Sequence, residues 1–543
     1  MQRKHFASLS VFQLMAMFRR GIFYFFLSIY LYEFLGVSTT EMTLFATLPM
    51  ITNIVAQSTL WGRISDKYKK RRLLIIFGEL FAAIGYLVVF WIHNFVNKER
   101  VGVGHIGDVL FTQSELVLHF SSITIFDPSG IQSILRMSAY TIIIGFTIIE
   151  AGWSSSNLGW SALIADLTKD SERSRVMGLL QFIGGIGNVL GVTACGFLYQ
   201  NGLGFWNGNL FYVSSGIMIF SMLALFMIPE SYADLKSGVV EEQEIKTNEV
   251  SETTLRVRDN SKKIWPWKLF IWLILVLAVV NIGGNSIGQM IQIYVRLPNT
   301  FNSTAVIVAQ LRNTSSIAMI IGGLAIGFLS SRFGEVKMLL VGFLLLLIGT
   351  ISLPFAPHIT IFFIYMALKG TSRVWIQTTS YSMVNRIVPL EKRGKMMGYY
   401  NSAFYLSWGL GGTIITGPIA DSIVVDPANK IMIMFYTALF IIAIGIMIYM
   451  LARKYLKLNL KKKQVDVSVL ISSIIGLAIV VIFSIKPISE LILGIDNTVA
   501  YSYEITFYVA SILVILGTLI YLLFRPNDFN HLSKEMTDKM KVG

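Results

Sequence analysis

The sequence predicts an all-α polytopic membrane protein with about fourteen transmembrane helices, arranged as two six-helix halves and two additional C-terminal helices. Three observations give this prediction: an apolar composition, a series of long apolar segments, and charged loop sequences that recur between the halves. Of the 543 residues, 54% are hydrophobic and only 14% are charged. Because soluble domains carry about 25% charged residues, lipid must be the solvent for much of this chain.

Fourteen segments are long and apolar enough to span a membrane, which takes about 20 residues per helix. In chain order, spans 1 to 14 are predicted near residues 9–35, 40–61, 73–94, 131–164, 177–199, 207–228, 267–295, 303–327, 337–356, 359–384, 396–420, 430–451, 467–485 and 503–524. The first segment has no small-residue cleavage site after a short apolar core, so we expect span 1 to be retained.

The basic residues orient these spans. With the N-terminus inside, cytoplasmic segments contain 33 Lys and Arg, and external segments contain five: Lys98, Arg100, Arg296, Lys430 and Lys486. Cytoplasmic loops carry an excess of Lys and Arg. Both termini are therefore predicted to be cytoplasmic, in a multi-pass protein of the cytoplasmic (plasma) membrane.

Polar segments divide the chain into four parts. Residues 1–228 form the first six-helix half, with an external insert at 95–130, and residues 267–452 form the second half. Between them, the charged segment 229–266 is predicted to be a cytoplasmic linker. Residues 453–543 contain the two additional helices and a cytoplasmic tail.

The loops indicate an internal duplication. "GRISDKYKKRR", from Gly62, follows span 2, and "GFLSSRFGEVK", from Gly327, follows span 8. "ADLTKDSERSRVMG" at 165–178 and "NRIVPLEKRGKMMG" at 385–398 follow spans 4 and 10 in the same way. Two paired matches six helices apart favour two halves derived from one unit.

The loop after span 2 resembles the helix 2–3 signature of the major facilitator superfamily, G-x-x-x-D-[RK]-x-G-[RK]-[RK]. The matching residues are Gly62, Asp66, Lys67, Lys70 and Arg71, while Lys69 stands where the family usually has glycine. The resemblance covers about residues 1–452. It implies two six-helix halves that rock around a central site and expose it alternately to each side of the membrane.

The same resemblance implies a cytoplasmic gate in the charged loops. The candidate gate residues are Gly62, Asp66, Lys67, Lys70, Arg71, Arg173, Gly327 and Arg393. We expect Asp66 to lie at the cytoplasmic mouth, where it meets a helix N-terminus or an arginine when the site faces outward. The alternative is a stop-transfer charge cluster that has no gating role.

Polar residues mark spans 1, 4, 7 and 10, the spans that the family fold places around the cavity. The candidate substrate-binding residues are Arg19, Arg20, Asn281, Asn285, Gln289, Arg312, Lys369, Arg373 and Gln377. A charge inside the membrane costs about 2.5 to 3.5 kcal/mol on insertion scales and usually faces a cavity or a partner. Five basic residues face one acid here, so we predict an anionic substrate.

Glu150 is the only acid well inside a cavity-lining span, which makes it the candidate for proton coupling. Arg19 and Arg20 are its candidate partners, and a permanent structural ion pair is the alternative. Glu79 lies in a peripheral span, where we expect it to make a structural contact. Glu150 and Lys369 lie at equivalent depths of the two halves, so a pair between them in every state is another alternative.

Several functional classes have no support in the sequence. No nucleotide-binding loop of the G-x-x-x-x-G-K-[ST] type occurs, and no cysteine or histidine cluster is suited to a metal. Recognisable hydrolase motifs are also missing. We therefore expect no enzyme, no cofactor, no metal site and no nucleic-acid partner.

The predicted function is secondary active transport of a small organic solute by alternating access, coupled to protons, in a monomer within the lipid bilayer. Multidrug-type efflux of hydrophobic compounds is the alternative, because Trp153, Trp375 and Trp408 could line an apolar pocket. An alternative of another class is a non-transporting receptor or scaffold of the same fold.

Overall fold

The computed structural model describes residues 3–68, 70–101, 131–168, 170–228, 267–388, 393–425 and 498–523. Within these ranges the secondary structure is helical, and no strand is found. Most of the external insert, the linker, and predicted spans 12 and 13 lie outside the described residues.

Eleven helices correspond to predicted spans 1 to 11, and a twelfth corresponds to span 14. They are α1 Arg3–Ile29, α2 Thr39–Ala56, α3 Arg71–Val101, α4 Ile131–Leu167, α5 Asp170–Leu198, α6 Asn209–Leu225, α7 Trp267–Ser286, α8 Ala305–Phe333, α9 Glu335–Ser352, α10 Ile359–Ile387, α11 Arg393–Leu410 and α12 Thr498–Leu523. Within the described ranges, nine helices are long and apolar enough to cross a membrane, or ten if one bent pair counts as a span. The chain is a multi-pass membrane protein.

Short helical segments extend or connect these helices. The π-helical segments are Tyr30–Phe34, Gln57–Trp61 and Gly411–Thr416, the 3-10 turns are Gln200–Gly202 and Leu353–Phe355, and the short α-helices are Gly62–Tyr68, Leu203–Trp206, Met290–Tyr294 and Gly417–Val425. The π-helical segments follow α1, α2 and α11 directly, so each of these three spans changes its helical geometry before it ends.

The N-terminus of α2 is fixed by a capping box. The Ser38 hydroxyl accepts from the Glu41 N–H at 3.3 Å, and the Glu41 carboxylate accepts from the Ser38 N–H at 2.9 Å. Glu41 also pairs with Arg136 of α4 at 2.6 Å and accepts from the Tyr140 hydroxyl at 2.5 Å. These contacts join α2 to α4 and fix the start of a helix that meets the other half.

In the first half, α6 packs on both α1 and α3. The rings of Phe23 and Phe211 lie 5.1 Å apart, and the Ser215 hydroxyl donates to the Ala83 carbonyl oxygen at 2.9 Å. These two contacts define the place of the sixth helix in this half of the repeat.

In the second half, α12 packs on α7 and α9. The Trp272 and Tyr521 rings stack at 5.4 Å, and the Tyr521 hydroxyl donates to the Val336 carbonyl oxygen at 2.8 Å. This helix therefore occupies the position that α6 occupies in the first half. Our sequence analysis placed this helix outside the two halves. Apolar composition predicts where each span lies along the chain, but it does not predict which spans pack against each other.

The halves meet closely where α2 runs beside the two segments that continue α11, Gly411–Thr416 and Gly417–Val425. A Cβ atom built on Gly412 would lie 3.0 Å from the Thr43 side chain, and one on Gly417 would lie 2.9 Å from Thr40 Cα. Glycine on one helix lets the two backbones approach. This contact lies towards the outer ends of the spans, as the distribution of basic residues assigns them.

Helices α5 and α8 form the second contact between the halves. Asn313 Nδ2 donates to Thr193 Oγ1 at 2.7 Å, and Asn188 Nδ2 donates to Ser316 Oγ at 3.2 Å. Two turns further along α8, Leu324 is 74% exposed. Arg20 of α1 is also exposed and interacts electrostatically with Arg312 of α8, and the space between the halves beside these two arginines is called the crevice below.

Candidate functional site

Four of the predicted substrate-binding residues form a basic cluster between the halves. Arg20 comes from α1, Arg312 from α8, and Lys369 and Arg373 from α10. The charge of Arg312 acts on those of Arg20 and Arg373, and the charge of Lys369 acts on those of Arg312 and Arg373. The cluster brings together cations from both halves that repel one another.

Lys369 lies beside an interruption in span 7, which was predicted as one continuous helix. Helix α7 ends at Ser286, and a short helix resumes at Met290. Lys369 Nζ lies 5.5 Å from the centroid of the Tyr365 ring. A Cβ atom built on Gly288, inside the interruption, would lie 3.5 Å from this nitrogen.

Arg312 lies beside the first half. Its guanidinium carbon is 5.9 Å from the centroid of the Phe25 ring of α1. Among the described residues, neither Arg312 nor Lys369 forms an ion pair. The predicted alternative of a Lys369 pair with Glu150 is therefore not formed in this conformation.

The remaining polar residues predicted for the site differ in accessibility. Asn281 is buried and donates to the Leu277 carbonyl oxygen in its own helix at 2.8 Å. Asn285 and Gln289 are half-buried at the interruption of span 7, and Gln377 is exposed. The polar residues predicted on span 7 therefore differ, because Asn281 bonds to its own backbone and only Asn285 and Gln289 lie at the interruption.

Glu150 is held by residues of α2 that the sequence analysis missed. Asn53 Nδ2 donates to Glu150 Oε1 at 2.5 Å, and Gln57 Nε2 donates to Asn53 Oδ1 at 2.7 Å. The charges of Arg20 and Arg19 also act on this carboxyl. The sequence does contain a signal for Asn53 and Gln57. Two amides inside an apolar span are unusual, and a spacing of four residues places both on one face of a helix.

Arg19 is not in the crevice. It is 2% exposed, its Nη1 donates to the Tyr86 hydroxyl at 3.1 Å, and its guanidinium carbon lies 5.2 Å from the centroid of the Trp153 ring. Its neighbour Arg20 is exposed. Successive residues of a helix point about 100° apart, so only one of the two predicted arginines can face the crevice.

The cytoplasmic gate candidates are only partly described. Lys67, Lys70 and Gly327 are exposed, and Arg71 Nη1 donates to the Ser65 carbonyl oxygen at 2.6 Å. Gly62 packs closely on the π-helical segment before it, since a Cβ atom there would lie 2.9 Å from the Gln57 carbonyl oxygen. The side chains of Asp66, Arg173 and Arg393 lie outside the described residues.

Charged residues at the outer ends join the halves, and the sequence analysis missed them. The Asp421 carboxylate accepts from the backbone N–H groups of Thr39 and Thr40, both at 2.8 Å. Arg296 of the second half pairs with Glu33 of the first half at 2.6 Å. A carboxylate is favoured at a helix N-terminus, so Asp421 completes the cap of α2 from the opposite half.

Comparison with known proteins identifies the family. The model of the Major Facilitator Superfamily matches residues 9–412 and 296–521. The chain belongs to this superfamily. Membership of this superfamily points to a transporter and not to an enzyme. The second match extends into α12.

Curated relatives within the superfamily match part of the chain. Multidrug resistance protein 2 of Bacillus subtilis is 27% identical over 150 residues, which are 27% of this chain and 37% of the relative. The proton-coupled antiporter flippase LtaA of Staphylococcus aureus is 32% identical over 148 residues, 26% of this chain and 34% of the relative. The matches span about a third of the length of these relatives.

Solved structures share the superfamily fold. A D-xylose-proton symporter has a TM-score of 0.54 at 15% identity and covers 76% of this chain and 89% of its own. A bacterial homolog of the human lysosomal transporter Spinster, in an inward-facing, occupied conformation, has a TM-score of 0.54 at 13% identity and covers 96% of each chain. At these identities the likeness concerns the fold.

Proposed function

We propose that this protein is a secondary active transporter that moves an organic anion by alternating access and is coupled to protons. The observation that carries the substrate class is the environment of Arg312 and Lys369. Both cations lie between the halves, their charged neighbours are other cations, and neither pairs with an acid in the described ranges. Arg312 and Lys369 are both half-buried. Cations that are partly removed from water without a compensating charge are unfavourable, and an anionic substrate would supply that charge.

The chemistry of the cluster suits a carboxylate or a phosphate group. An arginine can grip such a group with two parallel hydrogen bonds, and a lysine contributes a compact charge. Arg20 comes from the first half and the other three cations come from the second half. A bound anion would therefore contact both halves, as alternating access around a central site requires.

Proton coupling is proposed for Glu150. Its carboxyl accepts from Asn53, and its charge interacts with Arg20, which also interacts with Arg312 of the anion cluster. Arg20 thus connects the candidate proton site to the candidate substrate site. The relative LtaA is named as a proton-coupled antiporter flippase, and this supports the same coupling here.

The topology belongs to the same proposal. We infer cytoplasmic termini from the positive-inside distribution of Lys and Arg. About fourteen spans and a monomer in the cytoplasmic membrane are proposed with them. In that orientation we expect the crevice to open to the cytoplasm, because Asp421 and Arg296 join the halves at the opposite end. Asp421 and the Arg296–Glu33 pair then close the external side, and they must separate when the site faces outward.

Efflux of hydrophobic compounds is the second candidate. Its support is the match to Multidrug resistance protein 2, together with the rings of Phe25 and Tyr365 beside Arg312 and Lys369. Aromatic rings could bind the apolar part of such a compound. This candidate predicts affinity for lipophilic cations, which the basic cluster opposes.

The test is a thermal-shift screen of the purified full-length protein against dicarboxylates, phosphate esters and tetraphenylphosphonium. Stabilisation by anions, lost in Lys369→Met and retained in Lys268→Met, would support the anion site; Lys268 is an exposed lysine at the start of α7. Stabilisation by tetraphenylphosphonium alone would favour drug-type efflux. Counterflow in proteoliposomes then separates a transporter from a receptor, because a receptor binds without exchange.

A further inference from the structure

Glu79 of α3 is buried with one of its two carboxyl oxygens lacking a partner. It is 1% exposed, and its Oε1 accepts from Trp153 Nε1 and from Ser156 Oγ, both at 2.8 Å. Its Oε2 is buried and has no hydrogen-bond partner. No ion pair involves Glu79 among the described residues. An ionised carboxyl buried in this way is costly, and a protonated one is less so.

The titratable groups around Glu79 come from three helices. Helix α1 contributes Arg19 and Tyr24, α3 contributes Tyr86, and α4 contributes Glu150. Helix α6, which packs on the opposite side of α3, contributes only Tyr212, whose ring packs on Phe90 eleven residues further along α3. Arg19 is therefore the buried cation of this pocket, and its charge interacts with both carboxyls.

Trp153 joins Arg19 to Glu79. Its indole N–H donates to the carboxyl, and its ring lies beneath the guanidinium at 5.2 Å. Arg19 Nε has no hydrogen-bond partner, like Glu79 Oε2. The cation and the carboxyl are thus near each other without forming a pair, and Arg19 can compensate either Glu79 or Glu150 but not both completely.

We propose that Glu79 is a second proton-binding carboxyl of the transport cycle, in addition to Glu150. This inference rests on the proposed proton coupling. One buried arginine between two carboxyls favours the state in which one of them is protonated, because two ionised carboxyls would repel each other. When an anion draws Arg20 into the substrate site, Glu150 loses part of its compensation. Glu150 then takes up the proton that Glu79 gives up, and Arg19 is left to compensate the ionised Glu79.

The test is infrared difference spectroscopy of the purified full-length protein between acidic and alkaline pH. The carbonyl stretching band of protonated carboxyls is expected to contain one component that Glu79→Gln removes and another that Glu150→Gln removes. Glu504→Gln is the matched control, because Glu504 is also buried and accepts from the Tyr294 hydroxyl at 2.9 Å. This control should keep both components.

A second variant tests the assignment without removing the carboxyl. Ser156→Ala deletes one hydrogen bond to Oε1 and should move the Glu79 component to higher frequency. A pH-dependent band that is identical in wild type, Glu79→Gln and Ser156→Ala would overturn the proposal. The same overturning result is expected if the proton never leaves Glu79, because a band present at every pH cancels in the difference spectrum. The measurement involves no transport, so its outcome is independent of whether an organic anion is carried.

Discussion

The two halves share one architecture but differ in the charges at their centres. In the first half, Arg19 and Arg20 are matched by Glu79 and Glu150. In the second half, Arg312, Lys369 and Arg373 form a group of cations that repel one another. The balanced half is suited to exchanging a proton between acids, and the positive half is suited to holding an anion. If the halves derive from one unit, as the repeated loops predict, this difference separates the two proposed roles.

The difference in charge between the halves is clearest at one pair of equivalent positions. Glu150 lies 15 residues before Ala165, and Lys369 lies 16 residues before Asn385, at the starts of the matching loops. The same depth thus carries an acid in one half and a base in the other. The two do not pair in this conformation, so each can act on a different ligand.

The largest effect is expected from removing cations of the second half. Lys369→Met and Arg373→Gln should each weaken anion binding about 10- to 100-fold, because a hydrogen bond to a charged group contributes about 1.5 to 3 kcal/mol. Calorimetric titration of the anion found in the screen measures this, with Lys268→Met as control. Unaltered affinity in both variants would remove the anion site from the second half.

Next in size is the effect of neutralising the acid of the first half. Glu150→Gln should abolish accumulation driven by a pH gradient but permit exchange of substrate across proteoliposomes, because the permanently neutral amide cannot cycle a proton. Uptake with and without the gradient is the measurement, and Glu504→Gln is the control. Accumulation that follows the gradient as in wild type would place the coupling group elsewhere or exclude the proton as driving ion.

A smaller effect is expected at the outer contact between the halves. Asp421→Asn weakens two hydrogen bonds from the N-terminus of α2 and removes a charge that is favoured there by about 0.3 to 1 kcal/mol. The population should shift towards the outward-facing state. Spin labels at Asn207 and Asn302, both exposed at outer ends, would report the separation by electron-electron resonance.

Ser422→Ala is the matched control for Asp421→Asn, because the Ser422 hydroxyl donates only to the Ile419 carbonyl oxygen of its own helix. The control should leave the label distances unchanged. Identical distance distributions in Asp421→Asn and wild type would show that the cap contributes nothing to closure.

The smallest effect is expected at the cytoplasmic side. Asp66→Asn should slow turnover about two- to fivefold with little change in substrate affinity, because a helix N-terminus favours the lost charge by about 0.3 to 1 kcal/mol. Initial rates at several substrate concentrations separate the two quantities. Normal turnover in Asp66→Asn would mean that the charged loop has no gating role and serves only to orient the spans.

The sequence predicted the positions of the helices along the chain far better than the contacts between helices. Spans 4 and 10 were predicted at 131–164 and 359–384, and the helices run Ile131–Leu167 and Ile359–Ile387. Such spans can be predicted because membrane thickness sets the length of an apolar segment, and polar residues mark its ends.

The candidate site could be predicted only in part, for two physical reasons. A step of one residue turns a side chain by about 100°, so the sequence could not tell the buried Arg19 from the exposed Arg20. The Asp421 contact with Thr39 spans 382 positions of the chain, and no local pattern specifies a partner so distant. Lys369 and Arg373 could be predicted as neighbours, because they lie four residues apart in one span and therefore on one face of its helix.

The place of α12 determines when the protein can be completed during synthesis. Gly283 of α7 lies against the α12 backbone, since a Cβ atom there would be 2.9 Å from the Ala510 carbonyl oxygen. A Cβ atom on Gly517 of α12 would be 2.5 Å from the Val280 side chain of α7. This face of α7 has its partner only after residue 523 has left the ribosome. The first half has its sixth helix after residue 225. Translation therefore delivers a complete first half well before the second half can close.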